Sequence, residues 1–240
     1  MRRRRHLVLA LHGTSSVAGQ QVASDLLLAL NARLPDVEVH LGWADVLTPT
    51  LTETLTGLGE AVVVPGFLTA GYHVTSDLPA AIQAAGGRAR LAGLIGPALV
   101  EAVADRLQAA GGPGDAVVLA AAGSARPRSV AEVHDAARQL AELVGRPVVA
   151  GFLTAAQPSV TGAVAQLRAS GHNRISVASY LLAPGVFSGR LHTVGADLVS
   201  EPIGVHPLVV EAVASAYAAV VDEQRDVPGQ APGVGRERIA

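Results

Sequence analysis

The chain has no cysteine, and that absence closes several routes at once. A disulfide scaffold, a thiolate metal site and a cysteine nucleophile are all excluded, and the cytoplasm becomes the expected setting. Aromatic residues are scarce, at 3% of 240 residues, whereas half of the chain is hydrophobic. Ala, Val, Leu and Gly must therefore build the core, which suits helices packed closely on a sheet. Long apolar runs are missing as well: no window offers the ~20 uninterrupted apolar residues of a membrane span. An excess of one charge is also lacking. The net charge of −2 implies no polyanionic partner, so no nucleic acid is expected. The only basic run, Arg2 to Arg5, is too short for a nucleic-acid site. Followed by Leu7 to Leu11 it faintly mimics a signal peptide, but the apolar stretch stops at His12-Gly13 without a small-residue cleavage site.

What is present is an alternation of short apolar runs and helical patterns. Leu7–Leu11, Val37–Ala44 and Val62–Val64 read as buried strands, with a weak fourth at Arg88–Leu94. Between them lie helical patterns at Val17–Leu34, from Thr48-Pro49 to Leu58, at Leu78–Ala85 and at Pro97–Ala110. A linker, Gly111-Gly112-Pro113-Gly114, follows, and the pattern restarts. Strands are expected at Ala116–Ala121, Pro147–Phe152, Ile175–Leu182 and, weakly, Ile203–His206. Helices are expected at Val130–Val144, Pro158–Ser170, Val186–Leu198 and Pro207–Glu223. Alternation on this spacing predicts an α/β protein of two similar doubly wound parallel-sheet lobes with right-handed crossovers. The expected domains are 6–112 and 113–225, with a disordered tail over 226–240 that is rich in Gly, Pro and charge.

The restart is an internal duplication. Leu9-Ala10-Leu11-His12-Gly13-Thr14 aligns with Leu119-Ala120-Ala121-Ala122-Gly123-Ser124 at a shift of 110. Phe67-Leu68-Thr69-Ala70-Gly71-Tyr72-His73 aligns with Leu181-Leu182-Ala183-Pro184-Gly185-Val186-Phe187 at a shift of 114. The copies differ where chemistry would lie: His12 becomes Ala122, His73 becomes Phe187 and Asp45 becomes Thr154. The apolar frame and the glycines stay. The first half thus reads as the active one and the second as a wall.

His12 and His73 each follow a predicted strand, at the sheet edge where open α/β sheets bind ligands. Neutral imidazole is a common ligand of divalent first-row metals. Two imidazoles and at most one carboxylate make an open site, suited to passing a metal on, whereas a structural site closes its coordination sphere. Each residue also has a plainer reading. His12 fits a turn beside Gly13, His73 fits a helix-start residue packing its ring, and Asp45 fits a cap near Thr48 and Pro49. The losses in the second copy favour a shared metal site for His12 and His73; for Asp45 the cap reading is preferred, with a third ligand or a base as the alternative. Gly13-Thr14-Ser15-Ser16 reads either as a phosphate cradle or as a helix cap. His192 and His206 have no evident partner; His206, before Pro207 at a strand-to-helix turn, is a minor candidate for the cleft. His6, His40, His134 and His172 read as surface or strand-end residues.

The segments 9–14, 65–79 (PGFLTAGYHVTSDLP) and 180–187 (YLLAPGVF) resemble the class II chelatases of the sirohydrochlorin type. The resemblance spans about residues 6 to 223. It implies a chelatase-like fold with a cleft between two α/β halves, and insertion of Fe²⁺ or Co²⁺ (or Ni²⁺) into sirohydrochlorin for sirohaem or cobalamin synthesis. The metal is then a substrate, with no permanent cofactor. The family's metal-binding and catalytic histidines carry over to His12 and His73, and its acidic residue, commonly glutamate, to Asp45. Where the family usually reads His-Gly-Ser, this chain has His12-Gly13-Thr14. The substrate's carboxylates call for basic groups at the cleft mouth, and Arg126, Arg128 and Arg190 are the candidates. With both walls in one chain, a monomer is expected. The alternative is a metal or tetrapyrrole carrier without turnover.

Overall fold

The structure is a computed structural model and describes residues 5–225; the expected tail and most of the basic run lie outside them. The first half runs β1 (Arg5–Leu11), α1 (Val17–Arg33), β2 (Val37–Trp43), α2 (Leu51–Leu58), β3 (Val62–Pro65), α3 (Leu78–Ala84), β4 (Arg90–Leu91) and α4 (Val100–Ala109). The second runs β5 (Ala116–Ala121), α5 (Pro127–Val144), β6 (Val148–Phe152), α6 (Val160–Ala169), β7 (Ile175–Tyr180), α7 (Val186–Leu191), β8 (Leu198–Val199) and α8 (Pro207–Arg225). Each half lays down a parallel four-stranded sheet, ordered β2-β1-β3-β4 and β6-β5-β7-β8.

Alternation along β1 sorts its side chains into two cores. Leu7, Leu9 and Leu11 face a core that also takes in α1, α5 and the inner face of the second sheet, so the two halves share it. Val8 and Ala10 face the outer side with Leu51, Leu55 and Ile82 of α2 and α3. Val118 and Ala120 do the same against α6. Local signals start the helices: Ser16 caps α1, Thr50 and Glu53 form a capping box on α2, and Ser159 caps α6. Pro49 and Pro158 therefore sit just before the caps rather than in a first helical turn.

The terminal helix of each half crosses to the other. α4 packs against α5 and β7, and α8 packs against α1 and β3. Polar contacts fix the exchange. Arg33 of α1 makes a two-pronged pair with Glu211 of α8 (2.7 and 3.0 Å), and Arg106 of α4 donates to the Ile203 carbonyl (2.9 Å).

Two expectations for the second half fail. The helix expected over Val186–Leu198 ends at Leu191, and Gly195 at φ +81° lets the chain turn back. Leu198 and Val199 then form the edge strand β8 beside β7. Ile203–His206 is no strand. Its buried Ile203 donates its N–H to the Leu181 carbonyl (2.9 Å), outside the ladder.

The edge of the second sheet also carries an acid-sensitive clasp. Asp197 accepts from Ile175 N–H and pairs with Arg168, both at 2.7 Å. Asp115 accepts from the backbone N–H groups of Asn173 and Arg174. These bonds hold both carboxyls below their ordinary pKa of 3.8. A depressed folded-state pKa gives stability that is complete above the unfolded value and fades as pH falls through the folded one. Thermal midpoints measured from pH 5 down to 2 should therefore fall less steeply in Asp197→Asn than in the wild type.

Candidate metal centre

Both central strands, β1 and β5, end at the same cavity of about 680 Å³. Its floor and walls are largely apolar, with Trp43 and Phe67 from the first half and Phe152 and Phe187 from the second. His12, the first residue past β1, is exposed there. The turn that aims it needs Gly13. Its φ is +99°, and a Cβ would lie 2.2 Å from the Asp45 carbonyl oxygen. Gly123 repeats this geometry in the second copy, at φ +93°.

His73 opens a single wide turn, His73–Asp77, in which Leu78 N–H donates to the His73 carbonyl five residues back. Such turns are frequent at functional sites. Although 61 residues separate them in sequence, the His12 and His73 rings stand perpendicular with centroids 4.6 Å apart. Phe67 stacks beside His73 at 6.0 Å.

Each ring is tethered through Nδ1. His73 Nδ1 lies 2.6 Å from Asp77 Oδ2, and His12 Nδ1 lies 3.1 Å from the Gly13 carbonyl oxygen. A carboxylate and a carbonyl accept, so both Nδ1 atoms carry a proton, and in the neutral ring each Nε2 offers its lone pair. The His73 and Asp77 side chains are 32% and 36% exposed, at the boundary of protein and solvent. Two oriented imidazoles in an open, mostly apolar cavity can take a divalent ion and leave coordination positions for another ligand.

Asp77 is the residue that sequence reading passed over. The signal was in the repeat: at the shift of 114 that turns His73 into Phe187, Asp77 becomes Leu191, which is 1% exposed in the second outer core. The histidine and its carboxylate were exchanged together for an apolar pair.

Asp45 is adjacent but oriented otherwise. Its N–H donates to the His12 carbonyl (2.9 Å), while its exposed carboxylate accepts from Val46 N–H (2.7 Å). Val46 lines the cavity and Asp45 does not. None of the three arginines lines it either. Arg126 borders it, donating to Ser76 (3.0 Å) and lying over the ring of the lining residue Tyr72 at 5.5 Å. Arg128 is engaged by Glu132, and Arg190 lies over Phe187. Thr14 and Ser16 serve as caps: Thr14 Oγ1 accepts from Ser16 N–H and Ser16 Oγ from Gly19 N–H. His206 caps too, its Nδ1 accepting from Leu208 N–H (3.2 Å).

The loop carrying His73 is held by the second half. Ala70 N–H donates to Glu132 (2.7 Å), Ser129 donates to Thr69 (2.8 Å), and the buried Tyr180 hydroxyl lies 3.4 Å from the Leu68 carbonyl. Burial pushes the Tyr180 phenol far above its ordinary pKa, so it stays a neutral donor.

Comparison with known proteins bears on this geometry. A sirohydrochlorin cobaltochelatase of Methanococcoides burtonii is 31% identical over 78 residues, covering 30% of this chain. The chain spans 60% of the length of that curated relative. Among solved structures, SirB from Bacillus subtilis with Fe³⁺ superposes with a TM-score of 0.78 at 23% identity, over 93% of this chain and 98% of that one. The sirohydrochlorin chelatase SirB from Bacillus subtilis subspecies spizizenii in complex with cobalt gives 0.77 at 21% identity, with the same coverage. These likenesses show the two-lobed fold. Among the described residues no helix is long and apolar enough to cross a membrane. The CbiX family model matches twice, over residues 6–110 and again over 116–220, in register with the duplication, and the chain therefore belongs to the CbiX family.

Proposed function

We propose that this chain is a sirohydrochlorin chelatase that inserts Co²⁺ or Fe²⁺ into the macrocycle from His12 and His73. The observation that carries the reading is the His12–His73 pair, 4.6 Å apart at a cavity between the two sheets. Support comes from the CbiX family membership and from the cobaltochelatase relative. The cavity volume of about 680 Å³ lies within the roughly 300–1,000 Å³ of ligand pockets, and its apolar walls suit a tetrapyrrole face. All cationic side chains are arginines, since the chain has no lysine. Arg126 at the rim is the candidate for a substrate carboxylate.

In this reading the two Nε2 lone pairs hold the incoming ion, and the macrocycle lies against the aromatic walls. The ring must lose two N–H protons as the metal enters. Once the ion has passed to a ring nitrogen, His12 Nε2 is free to take one of them and His73 Nε2 the other. Asp77, accepting from His73 Nδ1–H, stabilises the resulting His73 imidazolium. Asp77→Asn keeps an acceptor but removes the charge. Insertion rate or Co²⁺ affinity should fall about 10- to 100-fold, the usual cost of losing such a partner. Unchanged values would deny Asp77 this role.

The test of the activity itself is spectroscopic. Purified chain with sirohydrochlorin and Co²⁺, or Fe²⁺ under anaerobic conditions, should change the visible spectrum faster than the protein-free control. Stoichiometric binding without acceleration would favour the carrier reading instead. Both cavity walls come from one chain, so a single-chain working unit in the cytoplasm is part of the proposal. Sedimentation of the active protein checks the stoichiometry.

A further inference from the structure

We propose that His6, Glu38 and His40 form a second binding site for a divalent first-row transition ion, at the opposite end of the first sheet from the cavity. β1 and β2 are parallel neighbours, and their register sets His6 beside Glu38. The two-residue period of a strand places His40 on the same face as Glu38. The three side chains bring one ligand atom each to within 4.8 Å of one another. His6 Nδ1 lies 3.3 Å from His40 Nε2 and 3.8 Å from Glu38 Oε2.

The spacing suits a shared ion. Two nitrogens bound to one tetrahedral ion at 2.0–2.1 Å lie about 3.3 Å apart. The same 3.3 Å serves as an imidazole–imidazole hydrogen bond, which a bound ion would replace. The ligands stand on paired strands, which fix their relative positions, and the His6 side chain is only 18% exposed. Glu38 brings a negative charge to complete the set, changing partner to do so.

The duplication argues against a framework role. At the shifts set by strand register, His6, Glu38 and His40 correspond to Ala116, Pro147 and Val149. Ala116 and Val149 belong to the outer apolar core of the second half, so the fold needs no polar group there. As at the cavity, the frame is shared and the donor groups appear only in the first copy. Imidazole and carboxylate donors suit Zn²⁺, Co²⁺, Ni²⁺ or Cu²⁺. Six strand residues at about 3.3 Å each separate this site from His12 by roughly 20 Å, so the two cannot share an ion. A bound ion would tie β1 to β2 and raise the thermal midpoint.

The experiment uses the full chain, stripped with chelator and titrated with Co²⁺ alone, reading metal per chain and thermal midpoint. The second copy supplies substitutions that its own fold accommodates: His6→Ala with His40→Val. Wild type should bind two equivalents, this variant one, and His12→Ala/His73→Ala the other one. The ion retained by His12→Ala/His73→Ala should raise its midpoint, and adding His6→Ala/His40→Val should remove both ion and rise. Retention of a single ion by His12→Ala/His73→Ala, with no ion lost from the cavity, would sink the cavity reading and leave this site standing. Equal Co²⁺ binding by wild type and His6→Ala/His40→Val, or no binding by His12→Ala/His73→Ala, would overturn the second site.

Discussion

His73→Ala should bring metal insertion into sirohydrochlorin close to the protein-free rate, a loss of at least about 100-fold. The size follows from what the ring does. It supplies one of two nitrogens at the cavity, it is oriented by Asp77 at 2.6 Å, and its Nε2 is the proposed acceptor of a macrocycle proton. Truncation removes a ligand and a base together. The fold should not suffer in proportion, because the side chain is 32% exposed and belongs to no apolar core. Thermal melts of wild type and variant should agree within a few degrees while initial rates from the visible spectrum diverge. A variant that stays folded and turns over at the wild-type rate would remove His73 from the chemistry.

A large structural effect is expected at Gly96. A Cβ built there would lie 1.9 Å from the Leu68 carbonyl oxygen and 2.5 Å from its carbon, both backbone atoms that cannot step aside. Leu68 belongs to the loop that carries His73, and its carbonyl also meets the Tyr180 hydroxyl. Gly96→Ala must push this loop off, so it should cost about 3 kcal/mol of stability, the upper end for overpacking. It should also weaken Co²⁺ binding at the cavity even though Gly96 touches no metal ligand. Urea unfolding and Co²⁺ titration would measure the two effects. In the second copy the corresponding position is His206, so the close approach belongs to the first half alone. A well-folded Gly96→Ala with unchanged metal affinity would mean that the loop does not set the His73 position.

Sequence carried a good part of this. Leu7–Leu11 and its copy at Ala116–Ala121 read as strands because buried parallel strands are short, continuous apolar runs, and both became central strands. His12 and His73 stood out because the second copy kept their frame and lost their side chains. Asp77 stayed hidden because an Asp just before a helix reads as a start signal, and Asp45 at a strand end drew the search for an acid. The exchange of α4 and α8 was not legible for another reason. Helical periodicity shows that an apolar face exists, not which sheet it meets. That is why a division after residue 112 separates the two sheets but cuts across the packing of those helices. β8 was misplaced because a two-residue edge strand leaves almost no pattern, while the buried Ile203 beyond it does. His6 and His40 looked like isolated strand-end residues until the register of β1 and β2 put them side by side.

The central claim is that two imidazoles remote in the chain grip one ion at the cavity. X-ray absorption of Co²⁺ bound to the His6→Ala/His40→Val chain tests it without interference from the other histidine pair. A first shell with two imidazole nitrogens, falling to one in the added His73→Ala, is the predicted result. A shell of oxygen donors only, unchanged by His73→Ala, would contradict it.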